Sequence, residues 1–161
     1  MTRRDSRDIA RDIMSMGIVP IELKTRGKAA VHPGWSATTM EEARQRLELV
    51  TAWPATANVG MLWNGMLVDI DLDDPEAVRR APEFLPATLT FGRDGKPRSH
   101  FIYHSPGSSN RTWKTPDGRM LVELRASRLQ TVAPESIHEG TGEMVRWDDP
   151  CLLYTSPSPR D

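Results

Sequence analysis

The sequence predicts an α+β domain with a largely antiparallel sheet, and three observations carry that prediction. Two helix signatures stand near the N-terminus, short apolar runs suited to strands follow from about residue 58 onward, and turns rather than long crossovers separate those runs. A chain of 161 residues, 38% hydrophobic and 27% charged, has the size and apolar content of one globular domain. No apolar run approaches the roughly 20 residues that a spanning helix needs. The single Cys151 excludes an internal disulfide framework and a Cys-rich zinc module. Arg3 and Arg4 are followed by Asp5 and Asp8 instead of an apolar signal segment, so the expected setting is a reducing cytoplasm with no membrane partner.

Ile9, Ala10, Ile13 and Met14 recur at helical spacing and Gly17 follows as a C-terminal cap, which predicts a helix over residues 6–16. Ile18 to Leu23 reads as a strand and Lys24 to Ser36 as a loop. Thr39 and Glu42 form a capping box that opens a helix reaching about Leu49. Asn64-Gly65 divides two apolar runs between Asn58 and Leu72, which predicts a hairpin. Asp74-Pro75 supplies an N-cap and first-turn proline for a short helix through about Ala81, with Pro82 as its stop. Thr88 to Phe91 and His100 to Tyr103 flank Arg93-Asp94-Gly95-Lys96 as a second hairpin. Further strands are expected over 120–125, 130–133 and 143–147. The domain is expected to cover residues 1–149. Residues 150–161 are expected to be an unstructured tail, because Cys151 to Asp161 resembles translated sequencing adapter found at the ends of unrelated metagenomic proteins.

The net charge of −1 argues against a uniformly basic nucleic-acid coat but conceals a sorting of sign. Asp69 to Glu83 holds six acids against two bases, and Arg93 to Arg125 holds seven bases against three acids. Such a pairing suits a site that holds cations and polyanionic phosphates together.

Val68 to Asp73 alternates strictly, so a strand there projects Asp69, Asp71 and Asp73 to one face and the apolar residues to the other. Side chains two apart on one face lie roughly 6.5 to 7 Å from each other, and a divalent cation relieves the repulsion of their carboxylates. The alternative is an exposed edge strand with solubilising acids, although aspartate is a poor strand former. Arg98-Ser99-His100 opens an apolar strand and could grip a phosphate, or His100 could be structural. Glu123 and its strand-mate Arg125 read equally as site residues or as an ion pair. Thr131, Ser136 and His138 are polar groups along the closing strand and turn. No Gly-x-Ser-x-Gly elbow, phosphate-loop signature or HExxH helix occurs, which weakens the serine hydrolase, P-loop and zincin readings.

The order of these pieces resembles the primase–polymerase domain of the archaeo-eukaryotic primase superfamily, as found in phage and plasmid replication proteins. The resemblance runs from Gly17 to Trp147: Ile18 to Ile21, Gly27-Lys28 and Pro33-Gly34-Trp35 early, Asn58-Val59-Gly60 with Asp69 to Asp73 at the first metal motif, Arg98-Ser99-His100 at the histidine motif, Glu123 at the third acid, and Gln130 to Val132 with Ser136-Ile137-His138, Gly142 and Trp147 at the closing strand and turn. Asp69/Asp71 and Asp71/Asp73 both fit the two-acid motif, and Arg98 stands where a small residue is usual. The resemblance implies an RRM-like sheet with flanking helices and template-directed nucleotidyl transfer by two magnesium or manganese ions. It implies Asp69, Asp71, Asp73 and Glu123 as metal ligands, with Asp69, Asp71, Glu123 and His100 in catalysis. His100, Ser99, Arg98 and Arg125 are implied for the nucleotide, and Arg93, Lys96, Lys114, Arg119 and Arg128 for nucleic acid. The implied partners are single-stranded DNA and nucleoside triphosphates, with a replicative helicase, fused or separate, as a further candidate, in a bacterial or phage-infected cytoplasm. Two other classes stay open: a catalytically inactive replication-initiation module and a metal-dependent phosphodiesterase.

Overall fold

A computed structural model describes residues 3–49 and 53–148. The tail expected over 150–161 lies outside the described residues. Helix α1 (Ser6–Ser15) starts where the Asp5 carboxylate accepts the Arg7 N–H, and it stops at Met16 before Gly17, whose φ of 80° few other residues adopt. Strand β1 is Val19–Leu23, and a short 3-10 turn at Trp35–Ala37 precedes helix α2 (Met40–Glu48), which opens on the expected Thr39/Glu42 capping box. Strand β2 spans Asn58–Leu72 and helix α3 Pro75–Phe84. Strands β3 (Thr90–Arg93), β4 (Lys96–His104), β5 (Arg111–Lys114), β6 (Met120–Val132) and β7 (Arg146–Trp147) complete the α+β fold.

The mostly antiparallel sheet runs β5-β6-β2-β4-β3-β7, with β1 also paired to β2. The two long strands organise it. The first half of β2 pairs with β1 and the second half with β4 on the same edge, while β6 follows both halves on the other edge. Ile9, Ala10 and Ile13 of α1 bury against Val59, Met61, Trp63, Phe91 and Ile102 on one face. Ala43 of α2 meets Val19, Ile21 and Leu62 on the opposite face, where Ala81 of α3 also meets Leu72 and Phe101.

Four expectations are corrected. Asn64-Gly65 does not turn the chain back: β2 is continuous and carries a register irregularity between Leu62 and Asp69. A type I′ turn requires positive φ at both central residues, and only Gly65, at 91°, has it. The Asn64 carboxamide instead accepts the Met66 N–H at 3.3 Å. The two strands expected over 120–125 and 130–133 are one strand, β6, with Arg128 at φ 57° inside it and Asn110 Oδ1 accepting the Ala126 and Ser127 N–H groups. Pro82 does not stop α3, because the packing of Ala81 and Leu85 against Leu72 and Phe101 holds the last turn, closed by the Leu85 N–H on the Ala81 carbonyl at 2.8 Å. Strand β7 is shorter than the expected 143–147, and β5, all of whose residues are exposed to some degree, has no apolar alternation to announce it.

Candidate active site

Pairing of β2 with its two neighbours assembles the site. Asp71 lies opposite His100 of β4 and Glu123 of β6, and Asp69 lies opposite Ile102 and Arg125. Directly paired residues share a face, so these groups all stand on the face that α1 packs against.

Asp71, Asp73 and Glu123 can each offer one oxygen within 4.8 Å of the others. Three hard oxygen donors at this spacing fit a divalent cation such as magnesium or manganese. Burial pushes the Asp71 carboxyl above its ordinary range, against the pull of His100 and Arg125. The Arg125 guanidinium sits among these acids, 2.7 Å from Asp71 Oδ2 and 2.9 Å from Glu123 Oε2. Lys96 Nζ lies 3.3 Å from Asp73 Oδ1.

Asp69, expected among the metal ligands, is not part of this group. It is fully buried behind His100, with the Thr131 hydroxyl donating to Oδ2 at 2.6 Å and His100 Nδ1 at 3.1 and 3.2 Å from its two oxygens. Thr131 Oγ1 also accepts from Trp63 Nε1 and Arg125 Nη1, each at 3.0 Å, so its whole hydrogen-bonding capacity is used. The His100 ring stacks on Phe91 with centroids 4.4 Å apart and planes within 6°. Burial works against charge on His100, but the Asp69 carboxylate outweighs it and leaves the imidazole above its ordinary value. Its Nε2 faces Asp71 Oδ1 at 3.7 Å.

A cavity of about 430 Å³ opens over these groups. Asp71, Asp73, Arg93, Lys96, Ser99, His100 and Arg125 of the expected set line it, together with Lys28, Thr131, His138 and Glu139. Arg93 is tied to Glu143 at 2.5 Å. Arg98, expected to bind nucleotide, is not on the lining: it sits at φ 50° in an irregular register between β3 and β4, and its N–H donates to Asp148 Oδ2 at 3.1 Å. That irregularity needs Gly92, where a Cβ would come within 2.9 Å of the Arg98 nitrogen. Lys114, Arg119 and Arg128 also lie off the cavity, and Arg119 pairs with Asp74 at the start of α3. A larger hollow of about 550 Å³ on the opposite face, between α3 and β6, has mostly apolar walls such as Ile70, Leu72, Phe84 and Trp113. The titratable cluster is in the smaller cavity.

Lys28 and His138 come from segments 110 residues apart in order, and the buried Asn58 joins them. Its amide donates to the Gly27 carbonyl at 2.9 Å and the Ile137 carbonyl at 2.7 Å, and its oxygen accepts the Ile137 N–H at 3.0 Å. Both residues were singled out in the sequence, Lys28 in the early basic loop and His138 in the closing turn, but only this clamp shows that they share a wall.

An antiparallel sheet that presents a carboxylate cluster beside a cation-rimmed cavity defines a protein suited to phosphorylated substrates and a divalent ion. The family comparison is more specific: residues 10–160 match the bifunctional DNA primase/polymerase N-terminal (Prim-Pol) domain. The chain belongs to that family, and its function is of the primase/polymerase type, acting on DNA and nucleotides. Among curated proteins none matches the sequence. No helix among the described residues is long and apolar enough to cross a membrane.

Proposed function

We propose that this domain catalyses template-directed nucleotidyl transfer, synthesising and extending primers on single-stranded DNA in phage or plasmid replication. The observation that carries the reading is one cavity, in a Prim-Pol chain, lined by Asp71, Asp73, His100, Lys96 and Arg125 with Glu123 beside it. Asp71, Asp73 and Glu123 hold the metal, magnesium or manganese. When bound, a pair of such ions lowers the pKa of the attacking 3′-hydroxyl and stabilises the leaving pyrophosphate.

The chain's own groups do the rest. Asp69 and the Phe91 ring fix the His100 plane, and the raised imidazole pKa favours a charged donor for a phosphate oxygen. Ser99, buried beside His100, belongs to the same wall. Lys28, Lys96 and Arg93 provide a positive field for the triphosphate. Exposed Lys114 and Arg128 are the remaining cations for the template backbone. A helicase partner and the cytoplasm of a bacterium or infected host belong to the same proposal.

The test is synthesis on single-stranded DNA with ribo- or deoxynucleotides and either metal, comparing wild type with Asp71→Asn. Product from the wild type and none from the variant is expected. Wild-type degradation of a labelled oligonucleotide without added nucleotides, and no synthesis, would instead make the domain a phosphodiesterase.

A further inference from the structure

The loop after β6 brings a second histidine to the cavity, and its hydrogen bonds determine which nitrogen carries the proton. The Thr141 backbone N–H donates to His138 Nδ1 at 3.2 Å, with Thr141 Oγ1 3.0 Å from the same nitrogen. A nitrogen that accepts from a backbone N–H has no proton of its own, so the proton is on Nε2. Nε2 has no protein partner among the described residues, while the ring lines the cavity.

The loop is built to hold this ring. The His138 N–H donates to the Glu143 carbonyl at 2.7 Å, and the Gly142 N–H returns to the His138 carbonyl at 2.9 Å. Ser136, fully buried, accepts the Val59 N–H at 3.0 Å, and Asn58 ties Ile137 to the Lys28 loop. Gly140 passes close to the ring edge, where an added Cβ would meet Cε1 at 3.3 Å. Burial, aided by Arg93, keeps the imidazole below its ordinary pKa, which agrees with the tautomer that the geometry requires. Lys28, only loosely paired with Glu139 at 4.0 Å, and Arg93 line the same cavity.

We propose that His138 donates a hydrogen bond from Nε2 to the phosphate chain of the incoming nucleoside triphosphate, as a second phosphate-binding histidine on a different segment from His100. This rests on the nucleotidyl-transfer reading. An acceptor rich in oxygen and negative charge is the ligand that suits an N–H donor flanked by Lys28 and Arg93, and among the described residues no Phe, Tyr or Trp lines the cavity to stack a base. The residue binds substrate and takes no part in proton transfer, since its proton is shared with phosphate and not released.

Nitrogen-15 NMR of the full chain with labelled histidine tests this directly. The His138 resonances should report the Nε2–H tautomer, and ATP with manganese replaced by magnesium should shift Nε2 while leaving Nδ1 nearly unmoved. In parallel, His138→Ala should weaken ATP binding about ten- to a hundredfold, with a smaller loss for AMP, and His138→Gln, which keeps a terminal N–H, should recover part of it. Magnesium affinity without nucleotide should stay as in the wild type. An Nδ1–H tautomer, or no response of His138 to ATP in a wild type that binds ATP and makes primers, overturns the inference and leaves the proposed function standing. A wild type that binds no nucleotide at all overturns both. The wild-type spectrum decides the matter even where a variant fails to fold.

Discussion

Replacing Arg125 with glutamine takes the guanidinium out of the carboxylate cluster and leaves a polar side chain in its place. Arg125 contacts Asp71 at 2.7 Å and Glu123 at 2.9 Å, with only 20% of its side chain exposed. At a charge separation of roughly 4 Å and an effective dielectric of about 20, each attraction is worth about 4 kcal/mol before desolvation. Burying the guanidinium offsets much of that gain, but removing one partner strands the acids, at a cost of about 3 to 5 kcal/mol. Arg125→Gln should therefore lose about 3 kcal/mol of stability in chelator. A divalent cation held by Asp71, Asp73 and Glu123 neutralises the same carboxylates, so the deficit should shrink to about 1 kcal/mol in saturating manganese, by the linkage of binding to folding. The thermodynamic cycle then requires the variant to bind manganese more tightly by about 2 kcal/mol, roughly thirtyfold. Urea denaturation with chelator and with manganese, plus a direct manganese titration, measures all three sides. Equal deficits in both buffers, or weaker manganese binding by the variant, would refute the claim that guanidinium and cation serve the same acids.

Asp69→Asn removes the charge that holds the His100 pKa up, so the imidazole should titrate lower, as read by NMR without metal. A raised histidine contributes stability that is full below its unfolded pKa of about 6.5 and lost as pH rises through the folded value; that loss on the alkaline side should be smaller in the variant. Asp5, held down to about 2 chiefly by the Arg7 side chain, has the opposite sign: its contribution is full above its ordinary 3.8 and fades as pH falls toward 2. Asp5→Ala should cost about 1 kcal/mol at neutral pH through the lost α1 cap, with the gap to wild type closing in acid urea titrations. Asn58→Ala leaves the Gly27 carbonyl and both polar groups of Ile137 without partners, at about 1 to 3 kcal/mol for each group that water cannot reach. It should also raise the KM for nucleotide more than it lowers kcat, because Lys28 and His138 lose their common clamp. An unchanged melting temperature and KM would show that the two loops hold their places without Asn58.

Local chemistry decided much of this protein from the sequence. Asp5 and Gly17 bound α1, the Thr39/Glu42 box opens α2, and Asp74-Pro75 opens α3, because caps act within a few residues of the backbone groups they satisfy. The alternation of the acids placed Asp69 and Asp71 on one face of β2, with Asp73 one residue beyond the strand's end at Leu72, for the same reason: a two-residue period is a local property. Strand continuity was a different matter. Asn64-Gly65 suits a hairpin by itself, yet β1, β4 and β6 all find partners along one extended β2, and those long-range pairings outweigh a turn preference.

The surroundings of each acid were likewise a tertiary decision. By spacing alone, Asp69/Asp71 and Asp71/Asp73 are equivalent pairs. What separates them is what the neighbouring strands bring: Thr131 and His100 engage the buried Asp69 carboxylate, while Glu123 arrives beside Asp71 and Asp73. Asn58 joins Lys28 to His138 only because the loop after β1 and the loop after β6 meet over the start of β2. A sequence states which groups are present and which way a strand faces them. Which of them share a cavity, and which are spent holding another in place, depends on contacts between residues far apart in the chain, and those exist only once the sheet has closed its register.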